Sequence, residues 1–506
     1  MITINNQDLT LPRSIMSDLQ GAPDVDPRLS SGATKLRKGK LDNLPWDHTG
    51  KHPGNPIFWH VIMFMTEIAW RYIFRRRQVD NLPEYEGGRI LSAMHLNGLV
   101  DPMTLTYTQD RRVISMGRHD IMTMPLVGWF ARRMGAQPVI RRPEIQSGVS
   151  DKEYAREINH RTLLTMTHCI ASGHNAVVMP EGKSHQDSRP HRFKTGPMRF
   201  ALNAASIAKE KGLTTPALQP VGLHYRCHYW FRTDVFVEFP QLIPVSAPDD
   251  PELGSKLSSG LWTEPPPERV NSLRNELFEA VSEVSPNAPD WDTHRAWHLI
   301  GHLRAQESGQ NLESLRDEVL AARDVRASLS GKEGVEGVMG PSIKAARILH
   351  SHDLDARSIK DGTIRTGRAW SKGFLGFLLM SLSFPITIPS TGVQGLLAWY
   401  LGDRTDEGID ARTTYHMLAA MFSPILFWPP LALLISIMVT PISALTIPLS
   451  LSIMAAIHLL NIIFLFGYDL WTDFSDSGRR TKLASSKQGE KLEILIDQTR
   501  SNLNLL

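Results

Sequence analysis

The chain has 506 residues, with 55 Lys and Arg against 52 Asp and Glu, a formal net charge of +3, and 42% hydrophobic residues. That length holds two or three domains and a sizeable core, and the near balance of charge argues against a nucleic-acid binder that relies on bulk charge. Two cysteines, Cys169 and Cys227, form neither a disulfide framework nor a zinc-knuckle spacing, and they fit a reducing compartment.

Residues 1–55 are polar, contain Pro and Gly, and lack an apolar signal core. They read as a loosely ordered lead segment. Residues 56–78 open on an apolar run, Ile57 to Phe74, interrupted by Glu67 and Arg71 and followed by Arg75-Arg76-Arg77. This pattern predicts an interfacial amphipathic helix with a basic end.

Residues 79–245 read as an α/β domain. Strand-length apolar runs, such as Arg89 to Met94, Asn175 to Met179, Ala217 to Leu223 and Asp234 to Phe239, alternate with helical stretches at Lys152 to Ser172 and Pro197 to Lys211. Such alternation predicts a sheet covered by helices. Residues 246–368 are expected to form a helical linker or accessory region, beginning with a Pro- and Ser-rich boundary.

Residues 369–470 read as a membrane region. The stretch 413–468 carries almost no charge and suits two spans of about 20 residues each, 413–438 and 442–468, with Pro441 at the turn. Pro385 and Pro389 divide 373–401 into halves too short to cross, which predicts a re-entrant or interfacial hairpin. Basic flanks stand before this region (Arg368, Lys372) and after it (Arg479, Arg480, Lys482). The positive-inside rule puts both on the cytoplasmic side, with residues 471–506 as a cytoplasmic tail and an even number of crossings. A three-span arrangement is the alternative.

Two motifs carry the chemistry. His95 and Asp101 lie in Met94-His95-Leu96-Asn97-Gly98-Leu99-Val100-Asp101-Pro102, after a strand-like run. A histidine is the natural base near neutral pH, and a nearby aspartate can hold its tautomer and stabilise the imidazolium. The spacing alone is weak, since His228 and Asp234 share it; the position at a strand end, where α/β sites gather, raises His95. The second motif is Met179-Pro180-Glu181-Gly182-Lys183-Ser184-His185, in which Gly182 permits a tight turn and Glu181 offers a carboxylate to a polyol. Together they point to proton abstraction from a hydroxyl that attacks an acyl group. Arg118, Arg141, Arg142, Lys183, Arg192 and Lys194 supply cations of the kind a phosphate needs. There is no Gly-x-Ser-x-Gly elbow and no P-loop. His185, Asp187 and His191 have no established metal-ligand spacing, so no metal is expected.

Four blocks in order then carry a resemblance. They are Met94 to Pro102; Gly117-Arg118 through Gly128-Trp129-Phe130 to Gly135 to Arg142; Met179 to His185 continuing to Phe193-Lys194-Thr195-Gly196; and Leu218 to Leu223. The chain resembles the glycerolipid acyltransferase superfamily, the glycerol-3-phosphate and lysophosphatidic acid acyltransferases. Five residues between His95 and Asp101, Ser184-His185 after Glu181-Gly182, a later Lys194-Thr195-Gly196 and the segment Asn287-Ala288-Pro289-Asp290-Trp291-Asp292 are similar to one branch. That branch holds fungal-type glycerol-3-phosphate/dihydroxyacetone-phosphate acyltransferases and prokaryotic relatives. Ser184 stands where the widespread Glu-Gly-Thr-Arg form has arginine.

The resemblance implies an α/β acyltransferase domain with a mixed sheet covered by helices, plus a C-terminal helical membrane region. It implies acyl transfer from acyl-CoA or acyl-carrier protein, as co-substrate and without a cofactor, to a hydroxyl of glycerol 3-phosphate or dihydroxyacetone phosphate in phospholipid synthesis. His95 would be the base and Asp101 its orienter. Glu181, Gly182 and Ser184 would line the substrate site, with Arg118, Lys183, Lys194, Arg141 and Arg142 as phosphate candidates. The expected partners are the bilayer, the acyl donor and a glycerol phosphate acceptor, with no nucleic acid. The expected location is a membrane, with the acyltransferase domain on its cytoplasmic side. Two other readings stand beside this one: a lysophosphatidic acid or other lysophospholipid acyltransferase, and a non-catalytic membrane scaffold with the same fold.

Overall fold

The computed structural model describes residues 22–23, 29, 32–44, 46, 48–332, 334–402, 404 and 410–505. Nine strands build the α/β core: β1 (Phe74–Val79), β2 (Arg89–Ser92), β3 (Val113–Arg118), β4 (Gln137–Val139), β5 (Asn175–Val177), β6 (Ala217–Pro220), β7 (Gly222–Tyr225), β8 (Thr233–Glu238) and β9 (Ile243–Pro244). Six form one sheet in the order β4-β3-β5-β2-β6-β9, parallel except for β9. The other three form a smaller sheet, β1-β8-β7. Only Val221 separates β6 from β7, so the chain passes directly from one sheet to the other.

Both faces of the larger sheet are covered, which is why its strands are apolar runs without strict alternation. On β2, Ile90 enters one core cluster with the helices Lys152–Ala171 and Gly196–Glu210. Its neighbour Leu91 enters the opposite cluster, with the helices Pro56–Ile73 and Val100–Tyr107. Connections leave β2 towards β3 and β5 towards β6, in opposite directions along the sheet. With right-handed crossovers these connections cover opposite faces, and a crevice opens at the carboxyl ends of β2 and β5.

The 56–78 segment differs from its expectation. Its helix ends at Ile73, and Phe74 to Val79 pair in parallel with β8. One helix face is core, through Trp59, Ile62, Met65 and Trp70, while Ile57, Val61 and Phe64 are exposed. The arginines are not a helix end: Arg75 reaches Asp473 at 2.7 Å, and Arg77 lies 3.8 Å from Glu67. Much of the 1–55 lead segment lies outside the described residues. Its described part is ordered, with helix Lys38–Asp42 burying Leu41 against Ile140, Ala155 and Ile158.

The 246–368 region divides: helices Leu253–Ser258 and Pro267–Glu283 pack into the core cluster of Ile90, and the residues after them form a separate helical unit. Helices Trp291–Glu307, Leu315–Leu329 and Glu336–Ser351 share a core that also takes in Leu492, Leu495 and Ile496. Within the 471–506 segment, the helix Lys487–Ser501 packs into this unit. Arg226 joins the unit to the α/β core, bonding Glu318 at 2.6 and 2.8 Å.

Three helical segments are long and apolar enough to cross a membrane: Trp370–Gly402, Arg412–Val439 and Thr446–Ala484. The first corrects the expected hairpin at 373–401, since Pro385 and Pro389 do not break it. Pro385 lies within the α-helix Trp370–Thr387, and a π-helical turn, Ile388–Gly392, takes in Pro389, with the Val393 N–H reaching back to Ile388 O, as π-bulges in helices do. The last segment is 39 residues, about 58 Å at 1.5 Å per residue, so it extends well past a hydrocarbon core. Its polar end meets the start of the first: Lys372 Nζ donates to Asp473 at 2.7 Å, and the Ala369 N–H donates to Ser477 Oγ at 3.0 Å. Both basic flanks therefore sit at the same end of this helix pair.

Candidate active site

His95 and Glu181 stand just beyond the carboxyl ends of the adjacent strands β2 and β5. His95 Nδ1 lies 3.1 Å from Asp101 Oδ2. Asp101 is in the first turn of the helix Val100–Tyr107 and is 1% exposed. Its Oδ2 also accepts the main-chain N–H groups of Leu96 and Asn97, each at 2.7 Å. Its Oδ1 accepts the Tyr225 hydroxyl at 2.7 Å. A carboxylate with this many donors is a fixed, charged acceptor, so the proton on His95 is assigned to Nδ1 and the lone pair to Nε2. Burial and the Asp101 charge push the Tyr225 hydroxyl well up, which keeps it a donor.

Glu181 is fully buried and ties the two motifs together. Oε2 accepts the His95 main-chain N–H at 2.7 Å; Oε1 accepts the His191 N–H at 2.7 Å and lies 3.0 Å from His185 Nε2. His185 N–H in turn donates to His95 O at 3.0 Å. The Glu181 carboxylate thus braces the loop behind His95, where the sequence had offered it to a polyol. Gly182 adopts φ +82°, a conformation suited to glycine, and is exposed beside it.

The cations separate into groups. Lys194 is exposed, its N–H donates to Pro180 O, and its side-chain stem lies beside Gly182. Arg141 reaches Gly182 O at 3.4 Å while bonding the buried Glu144. Lys183 and Ser184 are half-buried within the same turn. These four gather around Gly182. Arg118, the last residue of β3, is held in a two-bond pair with Asp120 at 3.0 and 2.7 Å. Burial opposes ionisation of Asp120, but the Arg118 bonds and charge outweigh it and hold the carboxyl below its usual value. Arg142 and Arg192 are exposed and stand outside this hydrogen-bonded group.

His185 and His191 stack face to face, with centroids 3.7 Å apart and planes 5° from parallel. Asp187 Oδ2 lies 2.6 Å from His191 Nε2, so His185, Asp187 and His191 bring three ligand-type atoms close together. Ring-nitrogen lone pairs lie in the ring planes, and parallel planes this far apart do not aim two of them at one ion. The Glu181 and Asp187 carboxylates already serve these rings. Burial, and next the neighbouring His185, lower the His191 pKa.

Sequence reasoning missed three supports. Tyr225, at the end of β7, holds the outer oxygen of Asp101. Thr413 and Thr414, from the apolar C-terminal region, bond Asn97 and Leu99. Gln186 joins His228 at 2.6 Å, and its carbonyl accepts the Trp291 indole N–H at 2.6 Å. Ser188 and Ala288 exchange two bonds at 2.8 and 2.9 Å, so the 287–292 segment noted for its resemblance lies directly against the second motif. No local pattern marks these contacts, most of which join residues 100 or more positions apart.

Residues 74–223 match the family model described as "Acyltransferase". That segment is similar to an acyltransferase domain. It is similar to glycerol-3-phosphate O-acyltransferase 2 of Saccharomyces cerevisiae, 27% identical over 151 residues, which cover 30% of this chain and 19% of the yeast protein. The match thus spans about a fifth of that relative's length. A crystal structure of the 1-acyl-sn-glycerophosphate (LPA) acyltransferase PlsC from Thermotoga maritima overlays 44% of this chain and 78% of its own at 13% identity, with a TM-score of 0.30.

Proposed function

We propose that the protein moves an acyl chain from acyl-CoA or acyl-carrier protein to a hydroxyl of glycerol 3-phosphate or dihydroxyacetone phosphate, as a membrane-bound step of phospholipid synthesis. The observation that carries this reading is the His95–Asp101 pair at 3.1 Å, held by two main-chain amides and Tyr225.

His95 Nε2 takes the proton of the acceptor hydroxyl as its oxygen attacks the thioester carbonyl. The imidazolium that forms is stabilised by Asp101. The tetrahedral intermediate collapses, the carbon–sulfur bond breaks, and the proton on Nε2 passes to the departing thiolate. One ester forms, one thioester is lost, and the base is restored. Lys183, Lys194 and Arg141 around Gly182 are our candidates for holding the acceptor phosphate, with Arg118 at the carboxyl end of β3 and the exposed Arg142 as further ones. The apolar C-terminal helices support a membrane location, and the placement of both basic flanks at one end of a helix pair, which goes with an even number of crossings, supports a catalytic domain on the cytoplasmic side.

The test is acceptor specificity. Purified full-length protein is given labelled glycerol 3-phosphate, dihydroxyacetone phosphate or lysophosphatidic acid, each with acyl-CoA and with acyl-carrier protein. Transfer to either of the first two supports the proposal. Transfer to lysophosphatidic acid alone overturns the acceptor, and no transfer at all overturns the activity.

A further inference from the structure

The loop carrying His95 is held from an unexpected direction. Helix Asp410–Leu426 lies in the apolar C-terminal region, over 300 residues downstream, and contributes to one of the three membrane-length segments. Thr413 is buried, and its Oγ1 donates to Asn97 Oδ1 at 2.9 Å. Thr414 Oγ1 accepts the main-chain N–H of Leu99 at 3.0 Å. Asn97 and Leu99 lie between the base and its orienter in sequence. The Asn97 N–H is also a donor to Asp101 Oδ2, so this residue touches the catalytic carboxylate with its main chain and the membrane-region helix with its side chain. Leu99 is the N-cap of the helix bearing Asp101, and its own N–H has no intrahelical acceptor, so Thr414 supplies one.

The helix offering these hydroxyls is firmly seated. Met417, Ala420 and Met421 share a core cluster with Val100 and Leu105, and Phe422 meets Phe130 edge to face at 4.9 Å. A shift of this helix is therefore transmitted to the catalytic loop through two hydrogen bonds.

We propose that Thr413 and Thr414 are positioning residues through which the apolar C-terminal region sets the geometry of the His95–Asp101 pair. Neither is assigned a contact with substrate. The kinetic arm of the test rests on the acyltransferase reading; a second arm does not.

The full-length protein is studied in micelles as wild type and as Thr413→Val, Thr413→Ser and Thr414→Val. Valine keeps the shape and loses the hydroxyl, while serine keeps the hydroxyl. A displaced reacting group costs rate far more than affinity. Thr413→Val is expected to lower kcat about tenfold, with the KM for both substrates little changed, and Thr413→Ser to recover most of the loss. Amide hydrogen exchange gives the independent arm: the Leu99 N–H should exchange about tenfold faster in Thr414→Val, as one lost hydrogen bond allows, while β2 and β5 keep their protection. An unchanged kcat in Thr413→Val, a serine variant as impaired as the valine one, or unchanged exchange at Leu99 would overturn the proposal. If the wild type transfers no acyl group, the functional reading fails, and the exchange result still decides the coupling.

Discussion

Asp101→Asn isolates the charge of the proposed orienting residue from its shape. The asparagine carbonyl can still accept the Leu96 and Asn97 amides that Asp101 Oδ2 holds at 2.7 Å, so the loop keeps its conformation. What is lost is the negative charge facing the imidazolium. With Nδ1 and Oδ2 3.1 Å apart, the charge centres are separated by about 4 Å, where an effective dielectric near 20 gives about 4 kcal/mol. Because the amides and Tyr225 already draw on that carboxylate, this figure is a ceiling. A loss of about 3–4 kcal/mol corresponds to a kcat lower by roughly 10²–10³-fold. The assay is steady-state transfer by the full-length protein at saturating donor and acceptor, with the melting temperature measured beside it. The expected outcome is a kcat loss of that size, KM values within about threefold, and a nearly unchanged melt. A folded Asp101→Asn protein within fivefold of wild-type kcat would refute the assignment of Asp101 as orienter.

Other predictions follow from neighbouring contacts. Tyr225→Phe removes the donor to Asp101 Oδ1, a bond to a charged group worth about 1.5–3 kcal/mol, and should lower kcat about tenfold without changing KM. Glu181→Ala leaves the His95 and His191 main-chain N–H groups buried without their acceptor, at about 1–3 kcal/mol each; the melting temperature should fall sharply, and Glu181→Gln should fall less. His228 is held neutral by burial, its pKa lowered to about 4. Its folded pKa lies below the unfolded value of about 6.5, so its contribution to stability is full above that pH and is lost as pH falls towards 4, by about 3 kcal/mol at most. Melting temperature measured against pH should fall through that window in the wild type and fall less in His228→Asn; equal slopes would contradict this.

The parts of the site that the sequence made legible are local ones. His95 sits in the loop after β2 and Asp101 in the first turn of the helix that follows, so one short stretch of chain orients both. Glu181 and Gly182 end the neighbouring strand in the same way. Tyr225, Thr413 and Thr414 were not legible, because a hydroxyl 124, 316 or 315 positions away leaves no periodicity or spacing to read. The same limit applied to the fold. Phe74 to Val79 looked like the end of an amphipathic helix, and only pairing with β8 makes them a strand. Pro385 and Pro389 looked like breaks, yet the α-helix runs through Pro385 and a π-turn carries it past Pro389. The tail helix Lys487–Ser501 is amphipathic, but its apolar face has meaning only against helix Glu336–Ser351.

The central claim, that His95 is the base, is tested most directly by His95→Ala. The main-chain N–H to Glu181 and the carbonyl to His185 survive that substitution, so the loop stays braced while Nε2 is removed. The account predicts a folded protein whose kcat falls by about 10³-fold or more, in line with loss of general-base catalysis. Acyl transfer at the wild-type rate by that protein would contradict it.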